Sequence, residues 1–146
     1  DYKNKIKDID VIHTSEFIIN FLKDKSTKLK KLDIATTYHD PCHLGRHCGF
    51  YDPPRELLKQ ISNFQEMKRI RENAMCCGAG GGVKKAFPEL ALEMAENRIK
   101  EDEQTQATYL ISTCPFCHRN LQDSIRALKS KLQMHDLSEI ILQSLE

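Results

Sequence analysis

Five of the six cysteines in this chain are spaced in a way that indicates metal chemistry. They fall into three groups: the single Cys42, the adjacent Cys76 and Cys77, and the closely spaced Cys114 and Cys117. Thiolates are the soft ligands that iron–sulfur clusters prefer. The last group lies at a predicted helix start, where the helix dipole and free backbone N–H groups favour the thiolate form. If the fold brings the three groups together, the five cysteines can hold one centre.

The adjacent pair bears on the size of that centre. One zinc ion takes four ligands at about 2.3 Å, and neighbouring cysteines rarely both fit around it. A multi-iron cluster offers several metal sites, so Cys76 and Cys77 could bind different irons. Four of the six glycines lie between positions 78 and 82, where backbone N–H groups can form an anion-binding concavity. Four basic residues are also near the cysteines in sequence: Arg46, Lys84, Lys85 and Arg119. We expect a solvated surface position for each of them, with compensation of negative charge at the centre as the alternative.

Other interpretations of the cysteines remain open. Three disulfides are disfavoured because no secretory signal is visible and because adjacent side chains in an extended segment point in opposite directions. The segment from Cys114 to His118 matches the c-type haem attachment motif, but haem would leave the other three cysteines of the pattern without a role. A metal-free, thioredoxin-like dithiol is a further alternative. A structural zinc module used for assembly would need only four of the thiolates.

Three histidines and the sixth cysteine lie close to Cys42 in the sequence. His39, His43 and His47 recur every four residues, but Pro41 argues against a helix that would align them. We expect structural or supporting roles for them, with His43 the candidate to hydrogen-bond near the centre. Cys48 is expected to be an incidental free thiol rather than a sixth ligand.

The rest of the sequence alternates β-favouring runs with helical patterns. Strands are predicted at 10–12, 34–38, 64–70, 108–112 and 132–135. Helices are predicted at 14–23, 52–61, 88–102, 115–129 and 137–145. This alternation predicts an α/β fold, with a largely parallel sheet of about four strands flanked by helices. Because loops at the carboxyl ends of parallel strands share one edge, we expect the cysteine loops to gather there.

Composition and charge exclude several classes of protein. The 22 basic and 21 acidic residues are interspersed and give a net charge of +1, so we expect no nucleic-acid partner. No apolar run approaches the ~18 residues of a membrane span. We expect a cytoplasmic protein, with any membrane association made through partners. The first residue is Asp rather than Met, and we expect the chain to be part of a larger protein.

Three signatures in order resemble the cysteine-rich CCG domain. They are residues 38–46 (YHDPCHLGR), 76–82 (CCGAGGG) and 114–117 (CPFC). Linking segments also match, at 13–17, 54–58 and 87–90. The resemblance covers almost the whole chain. A lone Cys-x-x-Cys would say little, whereas the three signatures together are specific.

The resemblance implies a cofactor, its ligands and partners. Family members include the B-type and D-type components of heterodisulfide reductase and the iron–sulfur components of glycolate oxidase, of lactate utilisation systems and of anaerobic glycerol-3-phosphate dehydrogenase. In heterodisulfide reductase five such cysteines hold a noncubane [4Fe-4S] cluster that cleaves a disulfide, and in some members a CCG domain binds zinc instead. By resemblance, the ligands here are Cys42, Cys76, Cys77, Cys114 and Cys117. The family normally carries two such domains, so residues 1–146 are expected to be one CCG domain, the C-terminal copy of a two-domain protein. It would transfer electrons or reduce disulfides beside other redox subunits, in a heterodisulfide-reductase-like or 2-hydroxy-acid-oxidising complex.

Overall fold

The computed structural model describes residues 11–24 and 28–145. Helices and strands alternate along the described chain. Their bounds are α1 (Thr14–Asp24), β1 (Ala35–Tyr38), α2 (Asp52–Ile61), β2 (Asn63–Phe64), α3 (Val83–Ala86), α4 (Pro88–Asp102), β3 (Tyr109–Ser112), α5 (Pro115–Leu128), β4 (Gln133–Asp136) and α6 (Leu137–Ser144). Single 3₁₀ turns lie at Arg71–Asn73 and Glu103–Thr105. The predicted α/β class is confirmed.

The four strands form one parallel sheet in the order β2-β1-β3-β4. In the centre, Thr37 of β1 lies opposite Leu110 of β3. On the other side of β3, Ile111 lies opposite His135 of β4. The chain leaves β1 for an edge strand on one side and later returns as β3 on the other. The carboxyl ends of β1 and β3 therefore flank a topological switch point, where α/β sheets bind ligands.

Helices cover both faces of the sheet. Successive side chains of a strand point to opposite faces, and the two buried residues Leu110 and Ile111 of β3 enter different cores. The first core contains Ala95 and Ile99 of α4 with Leu121 of α5. The second core is built from apolar residues of α1, α2 and α6. The first core also contains Cys77 and Cys117, so it extends to the cysteine loops.

Helix boundaries follow local signals in the sequence. Proline occupies the start of α2, α4 and α5, where a missing N–H has no intrahelical partner to lose. Asp136 and Glu139 form a capping box at the start of α6. Lys129 ends α5 in the left-handed conformation. These helices match their predicted ranges within one or two residues.

Three local predictions differ from the structure. Asp10 lies outside the described residues, and Val11 and Ile12 are not in a strand. The strand predicted at 64–70 is reduced to Asn63–Phe64. The backbone N–H of Gln65 makes the last hydrogen bond to β1, at the carbonyl of Thr36, and the chain then leaves the sheet edge so that Met67 packs in the first core. The short α3 follows the glycine loop and was not predicted. Within the described ranges, no helix combines the length and apolar character needed to cross a bilayer.

Candidate metal centre

The three cysteine groups converge at the carboxyl edge of the central strands. Cys42 lies in the turn that follows β1, and Cys114 is the N-cap of α5, two residues after β3. Cys117 follows in the first turn of α5. Cys76 and Cys77 arrive on the segment between β2 and α3. The switch point between β1 and β3 thus brings together segments that are distant in sequence.

The sulfur atoms form a connected group. Cys77 Sγ lies 3.2 Å from Cys117 Sγ. Cys117 is close enough to Cys114, and Cys77 close enough to Cys76, to shift the pKa values of those neighbouring thiols. Cys42 is close enough to Cys76 to contribute to the raised pKa of that thiol. All five are free thiols, as is Cys48.

A cavity of about 790 Å³ opens above these sulfurs. Four of the predicted ligands line it, namely Cys42, Cys77, Cys114 and Cys117. Cys76 does not line this cavity and is half-buried, and its Sγ accepts a hydrogen bond from the backbone N–H of Gly78 at 3.3 Å. The other walls come from the glycine loop at 80–82 and from Pro41, Pro115 and Phe116. The volume lies within the range of small-molecule and cofactor sites.

The thiols differ in acidity. Hydrogen bonds with Cys117 and Cys76 and a further polar contact with His39 lower the pKa of Cys77 far below its usual value. A hydrogen bond with Cys117, together with backbone N–H groups at the start of α5, lowers the pKa of Cys114 to about 6. The pKa of Cys117 is raised by its bonds with Cys114 and Cys77 and by burial. These shifts favour the thiolate form, which binds metal, at Cys77 and Cys114.

His39 is the histidine that the fold places against the sulfurs. One of its ring nitrogens lies within 4.8 Å of both Cys77 Sγ and Cys117 Sγ. The side chain is 1% exposed, and burial lowers its pKa while the polar contact with Cys77 acts in the opposite direction. The sequence favoured His43, which is exposed and lines the cavity wall. Period-2 alternation at the end of β1 was the signal that could have selected His39.

A buried ion pair fixes the loop that carries Cys42. Arg55 donates to both carboxylate oxygens of Asp40, at 2.6 and 2.8 Å, and its Nε donates to Glu66 at 2.8 Å. Asp40 also accepts the backbone N–H of Arg71 at 2.8 Å. Arg55 and Asp40 are almost completely buried. The pair joins the loop after β1, helix α2 and the segment leading to Cys76, a role that sequence reasoning did not assign.

Two further polar side chains hold the loop of Cys76 and Cys77. Arg46 donates from Nε to the carbonyl of Glu72 at 2.9 Å and also bonds the carbonyl of Ala74. Asn120 of α5 is 1% exposed and bonds the carbonyl of Cys77. The sequence predicted a solvated surface position for Arg46, with charge compensation as the alternative, whereas its contacts show that it anchors the backbone. Sequence reasoning missed Asn120, although a polar residue on the core-facing side of a helix is a detectable signal.

The remaining candidates lie at the rim of the cavity or outside it. Lys84, Lys85 and Arg119 line the cavity, and Lys84 is also paired with Asp123. Cys48 is exposed and does not line the cavity. The rings of His43 and His47 lie 5.0 Å apart. His118 lies in the first turn of α5, and its backbone N–H donates to the carbonyl of Cys114.

The donor set fits a thiophilic metal group. Sulfur dominates, and soft thiolates select iron–sulfur clusters, zinc and copper(I) over hard cations such as magnesium or calcium. A backbone N–H in the loop after Cys77 bonds Cys76 Sγ, and N–H groups at the start of α5 lower the pKa of Cys114, as expected around negatively charged ligands. An open cavity beside the sulfurs leaves room for a group larger than one ion.

Comparison with known proteins gives relatives of the same character. The chain is 48% identical over 93% of its length to one of the subunits of the dihydromethanophenazine:CoB–CoM heterodisulfide reductase of Methanosarcina acetivorans, and it covers 34% of that protein. It is 35% identical over 98% of its length to a Bacillus subtilis protein named "Probable iron-sulfur-binding oxidoreductase FadF", of which it covers 22%. It is 34% identical over 86% of its length to one of the subunits of the fumarate reductase (CoM/CoB) of Methanothermobacter marburgensis, covering 25%.

The chain therefore spans about a third or less of the length of these relatives. A family model described as a cysteine-rich domain, CCG, matches residues 36–122, which include all five cysteines of the pattern. The match confirms the resemblance predicted from the three signatures. This chain belongs to the cysteine-rich CCG domain family.

Proposed function

We propose that this chain is an iron–sulfur redox domain of a larger oxidoreductase, in which Cys42, Cys76, Cys77, Cys114 and Cys117 hold one noncubane [4Fe-4S] cluster. One observation carries the proposal: sulfurs from three distant segments meet at one cavity, with two of them 3.2 Å apart. Several thiols gathered at one cavity are the ligand set that a thiolate-bound metal centre requires.

The surroundings of the adjacent pair support a cluster over a single ion. Cys77 is buried, lines the cavity and contacts Cys117. Cys76 is half-buried and accepts a hydrogen bond from the loop backbone. The two thiols therefore face different surroundings, as two ligands of different irons in one cluster would.

The names of the relatives support a place in a multi-subunit redox complex. Two belong to a heterodisulfide reductase and to a fumarate reductase, and the third is named an iron–sulfur oxidoreductase. We infer a heterodisulfide-reductase-like or 2-hydroxy-acid-oxidising complex. The chain covers about a third or less of each relative. From the family resemblance we infer that it works beside a second CCG domain and other redox subunits. The domain would work in the reducing cytoplasm, and any membrane attachment would be made by partners.

When bound, the cluster would supply reversible one-electron transfer at the cavity. Disulfide cleavage breaks one S–S bond, consumes two electrons and two protons, and releases two thiols, so a partner redox protein must supply the electrons. The cysteines of this chain would bind the cluster, and Lys85 and Arg119 place positive charge at the rim of the cavity. Phe116, 71% exposed, adds an apolar wall for a partner or ligand.

Iron and sulfide analysis after anaerobic reconstitution tests this function. We expect several irons and matching sulfide per chain, visible absorbance, and an EPR signal on oxidation. Less than about one iron per chain, with neither absorbance nor an EPR signal, would contradict it.

A single zinc ion is the second candidate, favoured by the compactness of one part of the site. The donor atoms of His39, Cys77 and Cys117 all lie within 4.8 Å of one another, and Cys114 contacts Cys117. Thiolates on one tetrahedral zinc are about 3.8 Å apart, which this arrangement could reach with small shifts. About one zinc per chain, together with no uptake of iron and sulfide, would select this candidate.

A further inference from the structure

His39 is fixed where the two central strands end. Its backbone N–H donates to the carbonyl of Ile111 at 2.8 Å, and its carbonyl accepts a hydrogen bond from the hydroxyl of Ser112 at 3.3 Å. The side chain is 1% exposed. The sheet therefore determines where the imidazole lies, and the ring has little freedom to turn toward solvent.

Neither ring nitrogen of His39 has a hydrogen-bond partner of full geometry among the described residues, although both nitrogens are buried. Buried polar groups in folded proteins are nearly always hydrogen-bonded, and each exception calls for an explanation. In either neutral tautomer, an imidazole carries one N–H and one lone pair. One ring nitrogen lies within 4.8 Å of Cys77 Sγ and Cys117 Sγ. A ring nitrogen without a hydrogen-bond partner therefore lies beside the most buried sulfurs of the site.

Other sulfurs of the site already receive hydrogen bonds from the backbone. Cys76 Sγ accepts one from the N–H of Gly78, and backbone N–H groups at the start of α5 lower the pKa of Cys114. Cys77 lies deeper in the core, with 4% of its surface exposed. At that depth the fold provides an imidazole beside the sulfur.

We propose that His39 is a positioning residue whose ring N–H donates a hydrogen bond to the sulfur of Cys77 once the cysteines hold their cluster. This inference rests on the proposed function. A hydrogen bond to a thiolate ligand withdraws negative charge from it, which stabilises the reduced, more negative state of the cluster. His39 would therefore raise the reduction potential without binding a substrate or a metal.

Substitution of His39 separates this role from simple packing. In reconstituted protein, His39→Leu fills similar space without a donor and is expected to have a lower reduction potential than the unmutated chain. His39→Asn and His39→Gln each carry an amide N–H, and one of them is expected to restore the potential. His47→Leu makes the same chemical change at an exposed histidine of the same loop and should leave the potential unchanged. A His39→Leu protein that binds its cluster with an unshifted potential would overturn the proposal.

A measurement on the unmutated chain tests the proposal even if the His39 variants do not bind a cluster. With ¹⁵N-labelled histidine, pulsed EPR of the paramagnetic cluster should show a weak ¹⁵N coupling transmitted through the N–H···S bond. The absence of any coupling would overturn the proposal, and so would the strong coupling of a nitrogen bound directly to iron. A chain that takes up no iron at all would overturn the proposed function itself. A loaded chain without the weak coupling would overturn only the role of His39.

Discussion

Asn120 donates a hydrogen bond of 2.5 Å from its side-chain amide to the backbone carbonyl of Cys77. The same amide donates to the carbonyl of Ala91 at 2.9 Å. Asn120 lies three residues after Cys117 on α5, so one side chain fixes the backbone of Cys77 relative to the helix that carries its sulfur neighbour. The loop, α4 and α5 are joined at this point.

Replacing Asn120 by Ala should therefore destabilise the fold and loosen the centre. Each of the two buried carbonyls would lose one hydrogen bond, at a cost of about 1–3 kcal/mol in the free energy of unfolding. Urea denaturation measures the loss, and the iron retained after reconstitution measures the looser site. Arg126→Ala, at an exposed position of the same helix, is the matched control. Equal stability and iron content in the two variants would refute the positioning role of Asn120.

Gly78→Ala should be strongly destabilising. Gly78 has φ near +80°, and an added Cβ would collide with the backbone carbonyl of Ala91. Positive φ in a residue with a Cβ costs about 1–3 kcal/mol, and the steric conflict adds to it. Gly80→Ala is the control, because its φ is not positive and nothing lies within 4 Å of the added atom. Thermal unfolding should separate the two variants clearly, and similar melting temperatures would contradict the close approach of the loop to α4.

Arg55→Met should cost more than a surface substitution. It leaves the carboxylate of Asp40 buried without its charge partner, and removing one partner of a buried pair typically costs about 3–5 kcal/mol. Lys59→Met changes an exposed cation on the same helix and should be within about 0.5 kcal/mol of the unmutated chain. Denaturant titration compares the two, and matching free energies of unfolding would show that the pair does not hold the Cys42 loop.

Asp102 predicts a pH dependence of stability. It is fully buried, its carboxylate oxygens have no hydrogen-bond partner among the described residues, and burial raises its pKa from 3.8 to about 8 while Arg98 acts in the opposite direction. Between about pH 4 and 8 the folded chain holds a proton that the unfolded chain has released, so stability falls as pH rises, by up to ~1.4 kcal/mol per pH unit. Asp102→Asn should flatten this slope, whereas Glu93→Gln, exposed on the same helix, should leave it unchanged. If stability still falls with pH in Asp102→Asn, other titrating groups cause the pH dependence.

The fold was predictable wherever local signals agree with packing. The range of α4 matched at both ends because Pro88 opens it and because Ala95 and Ile99 repeat at helical spacing toward the core. The strand predicted at 64–70 was wrong beyond Phe64, because Met67 and Ile70 pack in the core and do not belong to a strand of the sheet. Periodicity cannot distinguish these two uses of an apolar run.

The cysteine pattern was visible in the sequence, but its supporting side chains were not. Asp40, Arg55, Arg71 and Asn120 act across sequence separations that no spacing rule connects. The choice between His39 and His43 depended on which of the two lies directly after β1 and faces the core. The ligand assignment itself stays a prediction, although the fold brings these sulfurs to one edge of the sheet.

Single Cys→Ser replacements, each reconstituted anaerobically, test most directly whether five cysteines hold one cluster. The unmutated chain and Cys48→Ser should each bind about four irons and give the same EPR spectrum on oxidation. Serine at Cys42, Cys76, Cys77, Cys114 or Cys117 should lower the iron content or change that spectrum. Unchanged iron and spectra in all five variants, or an unmutated chain that binds less than about one iron, would contradict the assignment.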